Sequence, residues 1–278
     1  MADISKAVRD FIGKFTVLKG AARELWLVFA LKFLIIAAYA VTNTTLVLWL
    51  SSDFGFSDEK ALGLIAVWSG IMTVAIVLVG SLTDALGLRR TFFLGVWICI
   101  AARAVMVFAN LKGLALLGGL VPLAIGEALS APVSVAAIRR YSNTKQRSIS
   151  FSVFYVMMNV GFVFAGFIFD FVRQHLGEHG HLVLFGFGIS TYRTLFLVSL
   201  LIEIMLLPIL WFLRDGVEAT DTGLKIVPQE AGHRVGNVWD SMYSIARDSL
   251  RETVRLFSEL LRQTDSTGSC CFWCSSPS

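Results

Sequence analysis

Six apolar runs dominate the chain, near Trp26–Leu50, Ala61–Thr83, Thr91–Asn110, Gly113–Ile138, Ser148–Phe171 and Arg193–Leu213. A helix needs about 20 predominantly apolar residues to cross a bilayer, and each run is long enough. A single soluble core has no room for six such segments. Of the 278 residues 56% are hydrophobic and 16% charged, and the mean hydropathy is +0.71. Soluble domains run at roughly 45–50% and about 25%. Lipid is therefore the expected solvent for much of the surface. Disorder is excluded for the bulk of the chain, because disordered segments are poor in apolar residues. The runs lack the strict alternation of barrel strands. The expected fold class is all-α, a polytopic membrane protein of six transmembrane helices. The first run is too long for the apolar core of a cleaved signal peptide, and an amphipathic stretch precedes it.

The formal net charge is only +4, so the placement of basic residues matters more than their sum. Those in short connections set the orientation. With the N-terminus inside, the inner flanks carry 11 of them: Lys6, Arg9, Lys14, Lys19, Arg23, Arg89, Arg90, Arg139, Arg140, Lys145 and Arg147. The outer flanks carry 4, namely Lys60, Lys112, Arg173 and Arg193. An integral, multi-pass protein with both termini cytoplasmic is expected. Residues 1–25 read as an amphipathic segment in which Ile4, Val8, Phe11, Phe15 and Leu18 recur every three or four residues. Lys6, Arg9 and Lys14 lie between them, which suits an anionic inner leaflet. Residues 26–213 form the bundle. Residues 214–263 hold a polar linker and a second amphipathic helix, with Trp239, Met242, Ala246, Leu250, Val254, Phe257 and Leu261 on one face. Residues 264–278, with Cys270, Cys271, Phe272, Trp273 and Cys274, break the helical period and read as an unrelated tail.

Between the second and third runs stands Gly80-Ser-Leu-Thr-Asp84-Ala-Leu-Gly87-Leu-Arg89-Arg90. Gly80 allows close helix approach and Gly87 a tight turn. Asp84 stands where it can pair with arginines or cap a helix, with Arg147 or Arg140 the expected partners. Arg89 and Arg90 hold the loop inside. The stretch resembles the signature loop of the major facilitator superfamily, with Leu88 where many members carry a basic residue. Further on, Gly126, Pro132, Arg147 and then Phe151-Ser-Val-Phe154-Tyr155-Val-Met-Met-Asn159-Val-Gly161 are similar to the fourth and fifth helices of the proton-dependent oligopeptide transporters. That family carries a lysine where Ala131 stands. It also carries two glutamates and an arginine early in the first helix, where Val28, Leu31 and Lys32-Phe33 stand. The resemblance implies the fold and does not extend to the peptide and proton machinery. It covers roughly Trp26 to Leu213 and implies the N-terminal half of a transporter whose two six-helix halves are related by a pseudo-two-fold axis. A half-length or truncated product is expected.

Charges inside spans are rare and mark partners or pathways. Arg103 lies 12 residues past Thr91, about 18 Å deep at the helical rise. Glu203 lies 10 residues past Arg193, about 15 Å deep, and Glu127 is near the middle of the fourth run. Two readings share this pattern: a substrate or proton-relay cluster, or a structural ion pair that locks helices. Lys32, about 9 Å from the inner side, is expected to snorkel to that surface. Asn43, Asn159, Tyr39 and Tyr155 are expected as helix–helix contacts, with a place in a substrate cavity as the alternative. His175, Glu178, His179 and His181 are spaced as a loose metal site without a cysteine, so a flexible glycine-rich loop is expected and no metal. Cys99 is a small apolar filler. Cys270, Cys271 and Cys274 face a reducing cytoplasm, where disulfides are not expected. No Walker loop, dinucleotide fingerprint or nucleophile elbow occurs, so no enzyme, cofactor or nucleic-acid partner is expected. The expected function is secondary transport of a small solute, with the bilayer and a C-terminal half or another copy as partners. The alternative is a non-transporting six-helix protein that associates with or regulates a full-length transporter.

Overall fold

The computed structural model describes residues 18–177, 180–184, 187–214, 217–220 and 223–226, together with Arg247, Arg251 and Arg255. Side chains at 78, 80–86, 184, 187, 217, 218, 220 and 223–226 are not among those described. The Ile4–Phe15 stretch, the Trp239–Leu261 face, the tail, Glu178, His179 and the side chain of Asp84, and with it the expected pairing to Arg147 or Arg140, therefore lie outside the described residues.

The helices are α1 (Arg23–Phe54), α2 (Asp58–Leu86), α3 (Leu88–Phe108), α4 (Val121–Tyr141), α5 (Arg147–Leu176), α6 (Thr191–Ile204) and α7 (Leu206–Phe212). A short helix, Lys112–Leu114, and a π-helical stretch, Ala115–Leu120, run straight into α4. Among the described residues six spans are long and apolar enough to cross a membrane, and they coincide with the six expected runs to within a few residues. The chain is an integral, multi-pass membrane protein. Gly87 alone joins α2 to α3 and has φ 82, a backbone state that L side chains rarely adopt.

The sixth span is broken where one helix was expected. Met205 separates α6 from α7, three residues before Pro208. A proline lacks its N–H and crowds the carbonyl four residues back, here that of Ile204, the last residue of α6. Two short antiparallel hairpins also amend the all-helical expectation. β1 (His181–Leu184) pairs with β2 (Phe187–Ser190), closing at Leu184 opposite Phe187. β3 (Val217–Thr220) pairs with β4 (Gly223–Ile226), closing at Thr220 opposite Gly223. Both are two-residue connections of the kind that favours hairpins. They replace the flexible loop and part of the polar linker.

In the bundle α3 packs on α4, α1 on α5, α2 on α4 and α1 on α6. Two glycines set the closest approaches. A Cβ at Gly126 would meet Cys99 Sγ at 2.6 Å and the Gly95 carbonyl at 3.0 Å, so α3 and α4 touch backbone to backbone. A Cβ at Gly161 would lie 3.0 Å from the Phe33 carbonyl, which brings α5 equally close to α1. Two apolar layers fill the interior. One, around Trp49, Met106, Leu123 and Phe196, lies toward the 55–57 turn. The other, around Leu25, Phe92, Tyr141 and Leu210, lies toward the N-terminal end. Polar side chains meet where the layers join.

Candidate functional site

Arg103 on α3 is fully buried, and three other helices aim polar groups at it. Its Nη2 donates to Glu127 Oε1 on α4 at 2.6 Å, and its Nη1 donates to Glu203 Oε2 on α6 at 3.1 Å. Its Nε donates to Thr42 Oγ1 on α1 at 3.2 Å. The Thr42 hydroxyl in turn lies 3.2 Å from Ser199 Oγ on α6. The guanidinium fork suits this use, because it carries several donors in a fixed plane and stays charged. The side chains of Arg103, Glu127 and Glu203 are 0%, 7% and 3% exposed. One cation thus holds two carboxylates in a space closed to water and lipid. The structure brings together the three charges singled out above, and adds Thr42 and Ser199, which no sequence signal marked.

Lys32 departs from expectation. It does not snorkel, because it is buried at the contact of α1 with α5. Its Nζ lies 4.7 Å over the ring of Phe154, and no carboxylate forms an ion pair with it among the described residues. Glu127 lies within its electrostatic reach across the bundle. Asn43, Tyr155 and Asn159 also depart from expectation, since they are exposed and do not bridge helices. Asn159 donates to the Tyr155 carbonyl of its own helix at 2.9 Å. Tyr39 is half-buried and stacks on Trp68 of α2, with ring centroids 6.5 Å apart.

Polar clusters close both ends of the bundle. At the N-terminal end, Arg23 Nη2 donates to the Phe212 carbonyl at 2.9 Å, and Arg89 Nη2 to the Trp211 carbonyl at 3.2 Å. Tyr141 donates to the Arg214 carbonyl at 2.8 Å. The last carbonyls of α7, which its own helix leaves without donors, are thus capped from α1 and α3, and α4 holds the chain two residues further on. Arg89 of the signature loop is used in this cap, and Gly87 supplies the turn before it. Arg90 is exposed; Gly80 and Asp84 belong to α2, their side chains outside the described set. At the far end, Asp53 Oδ2 accepts from Arg193 Nε and from Ser190 Oγ, both at 2.8 Å. Arg193 Nη1 also donates to Asn110 Oδ1 at 2.7 Å. The sequence marks Arg193 only as a flanking charge. His175 bonds the Phe171 carbonyl of its own helix at 2.8 Å and His181 opens β1; among the described residues no group suited to a metal occurs.

The family model described as Major Facilitator Superfamily matches residues 28–273. Among solved structures, the fold is similar to a bacterial homologue of the human drug peptide transporters PepT1 and PepT2. The identity is 17% and the TM-score 0.61, over 83% of this chain and 48% of that one. It is also similar to a structure described for substrate recognition in proton-dependent oligopeptide transporters, at 16% identity and TM-score 0.62, over 89% and 51% of the two chains. A third is tetrameric PepTSo2, at 16% and 0.59, over 91% and 54%. The chain spans about half the length of the structures it matches. No curated protein matches its sequence.

Proposed function

The chain belongs to the major facilitator superfamily, and we propose that it acts as the N-terminal half of a secondary transporter of a small solute, rocking against a second six-helix unit. We place both termini in the cytoplasm, on the basic residues of the inner flanks. Arg103, Glu127 and Glu203 serve in this reading as a lock that holds the half together. The solute meets Lys32, with Phe154 beneath it and Tyr155 and Asn159 along the same edge, and it presents an acidic group to the lysine.

The observation that carries this division is charge pairing. The Arg103 triad satisfies its own charges with two ion pairs. Lys32 is buried as well, but it meets only the ring of Phe154. A buried cation without a carboxylate in contact is costly in an apolar span, and an anionic ligand removes that cost. Binding sites in this architecture lie near the midplane between the halves.

The test is a thermal-shift screen of small organic acids on the purified protein. A ligand that raises the melting temperature of the wild type should fail with Lys32→Gln and work with Lys32→Arg. If ligands stabilise Lys32→Gln equally, Lys32 is not the solute contact. If no solute stabilises the protein and it co-purifies with a twelve-helix relative, the regulatory alternative replaces transport.

A further inference from the structure

A groove of about 680 Å³ lies between α5 and α6. Phe167, Ile168, Phe171 and Val198 form its floor and walls, and Asp170 and Gln174 its rim. Ile168 lies on the stripe by which α5 packs into the bundle, whereas Phe167 and Phe171 are 69% and 62% exposed. α5 has 30 residues, about 45 Å at the helical rise. The hydrocarbon core is about 30 Å thick, so a centred helix leaves roughly five residues beyond it at each end. The hydrocarbon then covers about residues 152–171, and Asp170 stands just inside the boundary opposite the N-terminal end. An exposed carboxylate is out of place there, because an unpaired acid at membrane depth is expensive. Asp170 makes no ion pair among the described residues. Arg173, one turn further on, does not line the groove.

We propose that this groove is a binding site for a phospholipid with an ammonium headgroup. One acyl chain runs along Phe167, Ile168 and Val198. The ammonium sits at the hydrocarbon boundary against Asp170 and is flanked by the faces of Phe167 and Phe171, whose rings attract cations. Gln174 offers an amide to the headgroup. Charge complementarity chooses this occupant: an anionic lipid would bring its phosphate onto a carboxylate. A helix from another protein would fill the apolar floor and leave Asp170 unpaired.

The experiment uses the full chain in phosphatidylglycerol nanodiscs, doped with a lipid that carries a photoactivatable diazirine on its acyl chain. The headgroup is ethanolamine in one sample and glycerol in the other, on identical acyl chains, and crosslinked residues are mapped by mass spectrometry. One favourable charge contact at a membrane surface corresponds to about a fivefold preference. The ethanolamine probe should label 167–174 and Val198 about fivefold more than the glycerol probe. Asp170→Asn should level the two, and Asp170→Glu should keep the difference. Exposed Leu94 and Trp97 on α3 should take both probes alike in every variant. Equal labelling of the wild-type groove, a preference that survives Asp170→Asn, or a groove that neither probe labels would each overturn the proposal.

Discussion

Arg103→Leu tests the lock most directly. The substitution leaves Glu127 and Glu203 buried with no cation between them, since Lys32 sits over Phe154 and bonds neither. Removing one partner of a buried pair costs about 3–5 kcal/mol. In proteins of this size 1 kcal/mol moves the melting temperature by roughly 2–4 °C, so the expected fall is about 6–20 °C in detergent. Two carboxylates share the arginine, so a double variant is not a full rescue. Arg103→Leu with Glu203→Leu still strands Glu127. Only the triple variant, with Glu127→Leu as well, removes every buried charge, and apolar replacement of whole buried ion pairs is often close to neutral. The triple variant should therefore melt near the wild type, with the double between. Solute-induced stabilisation separates the two roles: a lock regains it in the triple variant, whereas a relay that needs the charges does not. If Arg103→Leu alone leaves the melting temperature unchanged, the lock is refuted. If the triple variant melts as low as the single, Arg103 contributes by shape and not by charge.

Three further outcomes are expected. In a Cys270→Ser/Cys271→Ser/Cys274→Ser background, a cysteine at Ser57 should react with an impermeant maleimide in intact cells and one at Thr222 only after permeabilisation; the reverse pattern inverts the topology. Gly126→Ala should destabilise by about 1–3 kcal/mol as overpacking does, and Cys99→Ala should recover only part of that loss, because the Gly95 carbonyl still lies 3.0 Å from the new Cβ. Arg193→Met should cost about 1.5–3 kcal/mol by leaving Asp53 with Ser190 alone, and an unchanged melting temperature would show that the far-end cluster is ornamental.

The three charges of the lock were legible because charges in apolar spans are few and the helical rise converts residue number into depth. Their partners were not. Thr42, Thr44 and Thr45 all bond the carbonyl one turn back, as hydroxyls in helices commonly do. Nothing in the sequence sets Thr42 apart as the one that also faces Arg103. Lys32 was misread because snorkelling presumes lipid around the stem, and Phe154 of α5 covers it instead. Asn43, Tyr155 and Asn159 show the same limit from the other side: spacing tells which residues share a face, not what that face meets. The hairpins were hidden by composition. Glycines at 177, 180, 186 and 188 suggest a loop, and the short apolar strands His181–Leu184 and Phe187–Ser190 are too brief to outweigh them.

The polar bonds lie at three levels along the bundle, and the same helices recur at each. At the far end Asp53 of α1 meets Arg193 of α6 beside Asn110, which follows α3. In the middle Thr42, Arg103, Glu127 and Glu203 join α1, α3, α4 and α6. At the N-terminal end Arg23, Arg89 and Tyr141 of α1, α3 and α4 hold the end of α7. Along its middle α5 adds no such bond among the described residues; at its ends Arg147 donates to the Arg139 carbonyl of α4 at 3.4 Å, and the Gly177 carbonyl accepts from Thr191 at 2.8 Å. Inside a bilayer no water replaces a broken hydrogen bond, so α1, α3, α4 and the broken sixth span resist moving apart. Apolar helix contacts are different, because lipid tails are as apolar as the side chains they would replace. The apolar contacts along the middle of α5 are therefore cheaper to exchange than the polar bonds among α1, α3, α4 and the broken sixth span.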